Sequence, residues 1–144
     1  MRILLINGPN LGRLGRRQPE LYGHATLAQV VERAADHAAG RGATLVHLQS
    51  NHEGALIDRL EQLDYDGLVI NPGAFGHTSY ALRDAIEGVE RPAVEVHISD
   101  IFAREPFRHV LLLESVVIGQ VIGRGVDGYL EAIDLLLDHL AAKS

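Results

Sequence analysis

A chain of 144 residues suits one domain around a single core, and 47% hydrophobic with 22% charged residues is a globular composition. A net charge of −6 excludes a general nucleic-acid-binding surface, which needs a basic face, so any anion must be captured by a local cluster of positive charge. The absence of cysteine excludes disulfide and thiolate chemistry and fits a reducing compartment.

Arg2 to Ile6 is a short, nearly continuous apolar run, the pattern of a strand buried on both faces. The loop that follows, NGPNLGRLGRRQPELYG (residues 7–23), holds four glycines, three arginines and one acid, Glu20. Thr26 then caps a helix whose Leu27, Val30, Val31, Ala34, Ala35 and Ala38 form one apolar stripe, with Gly40 and Gly42 ending it. Ala43 to Leu48 reads as the second strand, and Asn51 precedes a helix that reaches Leu63. Gly67 to Asn71 is a third buried strand, stopped by Pro72-Gly73. A helix starts at Thr78 or Ser79 and runs to about Glu87, with Gly88 as its end. Pro92 to His97 is the fourth strand, and Ser115 to Ile122 the fifth, Gly119 marking a bulge or a close contact. Val126 to Ala142 is an amphipathic helix with Leu130, Ile133, Leu136, Leu137 and Leu140 inward.

Strands alternating with helices imply a parallel sheet covered on both faces. The leading architecture is an α/β, flavodoxin-like, doubly wound five-stranded sheet of order 2-1-3-4-5, as one domain over residues 1–144. A closed eight-stranded barrel needs about 250 residues and does not fit. No uncharged apolar run approaches the ~18 residues of a membrane span. Met1-Arg2 leads straight into a strand-like run rather than a signal sequence, so the expected location is the cytoplasm.

Ligands of open α/β sheets bind beyond the carboxyl ends of the strands, at the switch point of strand order. Here those ends carry Asn7–Asn10, Asn71–Ser79 and Glu95–Ser99. Asn7, Pro9, Pro72 and Gly73 taken singly are turn-formers. Glu95 and His97 are two apart on a strand and share a face. A carboxylate beside an imidazole favours the imidazolium and fixes the ring, which suits a general acid. The spacing of seven puts His77 and Asp84 on one face of the third helix, near Tyr80, where a solvated face is the plainer reading. Arg104 and Arg108, four apart, stack on one helical face and suggest an anionic ligand or partner carboxylates.

None of the eight histidines forms HxxxH or HxH with an acid at ligand spacing, and neither GxxxxGK[ST] nor GxGxxG follows the first strand. A phosphoacceptor domain of this fold would need acids where Asn7 and Asn71 stand. Twelve arginines accompany a single lysine, Lys143, beside the C-terminus, so imine chemistry has no core lysine to use.

Arg17 and Tyr22 flank Pro19, which disfavours a continuous helix; on one they would diverge by roughly 140°, whereas in a folded loop they meet. A free phenol, with a pKa of about 10, is a weak base, and a guanidinium within about 4–6 Å favours the phenolate. Gly12, Gly15 and Gly23 let such a loop open and close as a lid.

The segments NGPNLGRLGRRQPELYG, QSNHEGALID, INPGAFGHTSYALRDA, VEVHIS and AREPFRH, in this order and spacing, strongly resemble type II 3-dehydroquinate dehydratases over nearly the whole chain. The resemblance implies a flavodoxin-like fold, a role in the shikimate pathway, no metal or cofactor, and a homododecamer built as a tetramer of trimers. It further implies catalytic roles for Tyr22 as base, Arg17 as its activator, Asn10 toward the enolate oxygen through a water, and His97 with Glu95 as the acid. Asn71, His77 and Arg108 match contacts to substrate hydroxyls, Ile98 and Ser99 a carboxylate cradle, and Arg104 a second arginine near the tyrosine. Asp84 matches an acid lent to a neighbouring subunit. The implied reaction is anti elimination of water from 3-dehydroquinate through an enolate, without a Schiff base. Asp100, Phe102, Pro106 and Val110-Leu111-Leu112 depart from the family pattern at positions that carry none of these roles. The alternative of a different class is a carboxylate-binding module without turnover, which the joint presence of Tyr22, Arg17 and His97 disfavours.

Overall fold

A computed structural model of the chain describes residues 1–143; Ser144, the last residue of the expected domain, lies outside the described residues. Five parallel strands, β1 (Arg2–Asn7), β2 (Thr44–Gln49), β3 (Gly67–Asn71), β4 (Ala93–His97) and β5 (Gly119–Ile122), form one sheet. Their order is β2-β1-β3-β4-β5, the leading architecture expected above. The helices are α1 (Pro19–Tyr22), α2 (Leu27–Gly40), α3 (Glu53–Leu60), α4 (Phe75–Thr78), α5 (Tyr80–Val89) and α6 (Gly128–Ala142).

The side-chain alternation of β1 feeds two cores. Ile3 and Leu5 join Val30 and Ala34 of α2 and Ile133 and Leu136 of α6 on one face. Leu4 and Ile6 join Leu56 and Leu60 of α3 and Leu82 and Ile86 of α5 on the other. All four β1 side chains are fully buried, each contributing roughly 1.5–3 kcal/mol on an area basis. A strand so enclosed has no polar face, which is why its sequence does not alternate.

Local signals set the helix ends. Thr26 Oγ1 accepts from Gln29 N while Gln29 Oε1 accepts from Thr26 N, a reciprocal cap at the start of α2. Ser79 Oγ accepts from Leu82 N at 2.9 Å and starts α5.

Several expected boundaries move. α3 ends at Leu60 rather than Leu63, and Asn51 does not cap it. Asn51 Oδ1 is instead used by the backbone N–H of Asn10 and by Gln49 Nε2. Gly88 lies within α5, which ends at Glu90 in the left-handed region. Residues Glu114–Val116 form a 3₁₀ turn, so β5 is only four residues long. Gly119 is a close contact and not a bulge: its pairing with Val94 is regular, and an added Cβ would sit 3.0 Å from Leu135 Cδ1. A 3₁₀ turn at Gly125–Asp127 precedes α6, and Tyr129 and Ala132 are buried while Leu130 and Leu140 are only partly so.

Candidate active site

The carboxyl ends of β1, β3 and β4 and the loops beyond them enclose a cleft of about 190 Å³. It sits where strand order reverses between β1 and β3, the expected place for a ligand. Asn10, Arg17 and Tyr22 line it from the first loop. Asn71 and His77 line it from the β3 side. His97, Ile98, Ser99, Arg104 and Arg108 complete it from β4 and the segment beyond. Of the expected site residues, Glu95 stands behind His97, and Asp84 lies elsewhere, its side chain 73% exposed and paired to Arg83.

The first loop is more structured than its glycines suggest. A 3₁₀ turn, Leu11–Arg13, is followed by α1, with Pro19 at its first position and Gln18 before it in the left-handed region. Gly23 ends α1 at φ +78, a conformation that strains any other residue. This fold-back brings the Arg17 guanidinium carbon to 5.1 Å from the centre of the Tyr22 ring. Arg104 takes the phenol oxygen: its Nη1 donates to Tyr22 Oη at 2.6 Å and to Ser99 Oγ at 3.2 Å. Two cations thus face one phenol, Arg17 across the ring and Arg104 at the oxygen. A bond from a cation to oxygen strengthens as negative charge develops there.

The opposite wall is built on buried, hydrogen-bonded side chains. His97 Nε2 donates to Glu95 Oε2 at 2.7 Å, and Gln120 Nε2 of β5 donates to Glu95 Oε1 at 2.7 Å. Both carboxylate oxygens are satisfied, so the imidazole ring is fixed and its Nδ1 is left for the cleft. The His77 ring stacks on that of His97, centres 5.7 Å apart. His77 Nδ1 donates to the Val110 carbonyl at 2.7 Å. Burial, which outweighs this backbone bond, and then the nearby His97 and Arg108 push His77 below the ordinary histidine value of 6.5. A neutral ring donating through Nδ1 presents Nε2 as an acceptor.

Two expected pairings are not as spacing implied. His77 belongs to α4 and Asp84 to α5, because the extended backbone of Ser79 breaks the helix between them. Arg104 ends one 3₁₀ turn and Arg108 sits in the next, so they share the cleft but not a helix. Arg108 Nε donates to Glu105 Oε2 at 3.1 Å.

The departures from the family pattern have local explanations. Asp100 Oδ1 accepts from Phe102 N and caps a turn, and Pro106 opens the next one. Val110 and Leu112 hold the His77 turn through backbone atoms, Val110 O to His77 and Leu112 N to Gly76 O, so their side chains are free to vary. Among the described residues, no group of three or more His, Asp or Glu side chains is placed to share a metal ion.

Sequence reasoning missed Gln120, Gly76 and Tyr129. Gly76 is required because an added Cβ would lie 2.8 Å from Pro72 Cγ and 3.3 Å from Glu95 Oε2. Tyr129, fully buried in the first turn of α6, donates to Asn7 Oδ1 at 2.6 Å and accepts from Asn71 Nδ2 at 2.9 Å. A tyrosine inside an apolar helix stripe is a signal in itself, since a buried hydroxyl needs a partner.

A family model described as dehydroquinase class II matches residues 1–137. A 3-dehydroquinate dehydratase of Anoxybacillus flavithermus is 53% identical over 145 residues, covering 99% of this chain and 98% of that protein. A catabolic 3-dehydroquinase of Aspergillus oryzae is 52% identical, covering 92% of this chain and 88% of that protein. The crystal structure of a type II dehydroquinase from Butyrivibrio crossotus superposes with a TM-score of 0.93 at 44% identity, covering 95% of this chain and 97% of that one. With a match of this length and relatives of this identity, the chain belongs to the class II dehydroquinase family.

Proposed function

We propose that this chain is a hydro-lyase that dehydrates 3-dehydroquinate to 3-dehydroshikimate by anti elimination through an enolate, with no Schiff base. The observation that carries the reading is a phenol held by Arg104 on one wall of the cleft and a carboxylate-oriented histidine on the other. Elimination of water beside a ketone needs a base, a stabiliser of the enolate and an acid on the opposite face.

Tyr22, as phenolate, takes the axial proton from C2, and the electron pair moves into the C3 carbonyl to form the enolate. Arg17 and Arg104 stabilise the charge on the phenolate, and Asn10 acts at the enolate oxygen through a water. His97 then gives its Nδ1 proton to the C1 hydroxyl, which leaves as water while the enolate collapses to the conjugated enone. Glu95 holds the ring and balances its charge. Asn71, His77 and Arg108 contact substrate hydroxyls, and the Ile98-Ser99 backbone with the Ser99 hydroxyl holds the carboxylate. The cleft draws three arginines together in an acidic chain, which supports an anionic substrate.

The same reading makes the chain a cytoplasmic homo-oligomer, a dodecamer of four trimers. Exposed Asp84, on the same short helix as the largely exposed Tyr80, supports a role across a subunit boundary. No helix among the described residues is long and apolar enough to cross a membrane.

The test is to follow the ultraviolet absorbance of the enone with purified protein in EDTA. Tyr22→Phe should abolish turnover while a substrate analogue still binds. No absorbance rise from the parent at saturating substrate refutes the reaction, and full rate in Tyr22→Phe refutes the assigned base.

A further inference from the structure

Behind the cleft lies a chain of hydrogen bonds whose direction is fixed from one end. The Gly73 N–H donates to Asn71 Oδ1 at 3.1 Å. A backbone N–H can only donate, so the Asn71 amide must turn its nitrogen away, and Asn71 Nδ2 donates to the Tyr129 oxygen. The Tyr129 proton is then committed to Asn7 Oδ1. Asn7 in turn must donate through Nδ2, which meets His47 Nε2 at 3.0 Å. Four links run in one sense from the β3 turn to β2, crossing beneath the switch point through a residue of α6.

The three side chains before His47 are enclosed: Asn7 and Tyr129 are 0% and 1% exposed, and Asn71 3%. Burial pushes the Tyr129 phenol well above the ordinary tyrosine value, so it keeps the proton it donates. Burial also lowers His47, which keeps its Nε2 lone pair available as the terminal acceptor. Asn71 Nδ2 carries two hydrogens, and Tyr129 accepts one. Asn71 lines the cleft, and among the described residues no other takes the second hydrogen, which leaves it for an acceptor there.

We propose that the Tyr129 hydroxyl is a positioning group: while the Gly73 N–H holds Asn71 Oδ1, Tyr129 accepts from Asn71 Nδ2 and pins the amide nitrogen, so that its second N–H stays aimed at a hydroxyl oxygen of the bound substrate. The proposal rests on the dehydratase reading for its substrate. Tyr129 itself does not line the cleft and acts only through Asn71. The lock explains why a tyrosine occupies a fully buried position in a helix packed against apolar strands. Its ring fills the core while its hydroxyl joins the ends of β1 and β3, which are in register at Asn7 and Asn71.

The decisive experiment is a double-mutant cycle on kcat/KM with 3-dehydroquinate. Tyr129→Phe, which removes only the oxygen, should lower kcat/KM by about tenfold. In an Asn71→Ala background the same change should cost less than about twofold, because the group it positions is gone. Equal losses in both backgrounds mean a merely structural role and overturn the proposal, as does parent-like kcat/KM in Tyr129→Phe. Should Tyr129→Phe fold poorly, Asn7→Leu removes the acceptor of the tyrosine proton and should show the same non-additivity.

A second readout does not depend on turnover. The chain has four asparagines, Asn7, Asn10, Asn51 and Asn71, so asparagine-selective ¹⁵N labelling resolves each side-chain amide. The Asn71 amide protons should exchange at least about tenfold more slowly than those of exposed Asn10 and Asn51, and this protection should collapse in Tyr129→Phe. Unchanged protection overturns the lock. A parent protein without turnover would refute the dehydratase reading alone, since the exchange measurement still decides the lock.

Discussion

Replacing Glu95 by glutamine tests whether the acid depends on an oriented, charge-paired imidazole. The carboxylate is fully buried and receives two N–H donors at 2.7 Å, one from His97 and one from Gln120. Glutamine offers one acceptor and one NH₂, and because the Gln120 amide can flip as well, nothing fixes which end faces His97; at best a neutral acceptor replaces the carboxylate. A hydrogen bond to a charged group is worth about 1.5–3 kcal/mol. If His97 loses that support only as the proton moves, kcat falls by about 10- to 150-fold at 1.36 kcal/mol per decade. Glu95 does not line the cleft, so KM should stay within about twofold. The swap Glu95→Gln with Gln120→Glu restores one donor facing one acceptor at each contact but moves the charge one residue away. Recovery of kcat in the swap assigns the effect to orientation, and no recovery assigns it to charge. The assay is enone absorbance under saturating substrate, with kcat of Glu95→Gln within twofold of the parent refuting the reasoning.

Two further expectations concern stability. Gly76→Ala should destabilise by about 1–3 kcal/mol in urea unfolding because its Cβ meets Pro72 and Glu95, whereas Gly88→Ala, with open space inside α5, should stabilise; equal effects would refute the packing argument. Burial lowers His47 and His77 below 6.5, so the folded state binds fewer protons than the unfolded one as pH falls through that value. Their stability contribution is complete above about 6.5 and lost on acidification, and a melting midpoint that is flat or rising from about pH 8 to 5 would contradict it. A second loss follows below the ordinary aspartate value of 3.8, where Asp64, held down by Arg59, takes up its proton.

The sheet order was legible because β1 and β3 are short apolar runs that announce themselves as buried on both faces, and because the first three crossovers carry striped helices; the β4–β5 crossover has only 3₁₀ turns. Glu95 and His97 were legible because period two is a property of any strand. The helix start expected at Thr78 or Ser79 holds, and it is what parts His77 from Asp84: the Ser79 hydroxyl caps Leu82 N, so the shared face expected from a spacing of seven does not form. Arg104's hold on Tyr22 was implied only by family likeness. A contact between residues 82 apart in sequence, made by two irregular segments, has no periodicity to betray it. Tyr129 was hidden for a different reason: its apolar ring satisfies the helix stripe, and its hydroxyl partners lie on other elements.

These differences divide the site by mechanical character. The acid half is built on β4, with His97 and Glu95 buried and braced by β5 through Gln120. Behind it, the β3 turn is tied to α6 through Tyr129. The base half is carried by a four-residue helix between a left-handed Gln18 and a left-handed Gly23, with no fully buried residue of its own. Rigid placement suits the group that must meet a leaving hydroxyl in one orientation, since an imidazole displaced by an ångström loses its proton path. Arg104 sits at the seam, bonded to Tyr22 of the first loop and to Ser99 beyond β4. One guanidinium therefore ties the phenol oxygen to the Ser99 hydroxyl, so a displacement of Tyr22 reaches Ser99 through a single side chain.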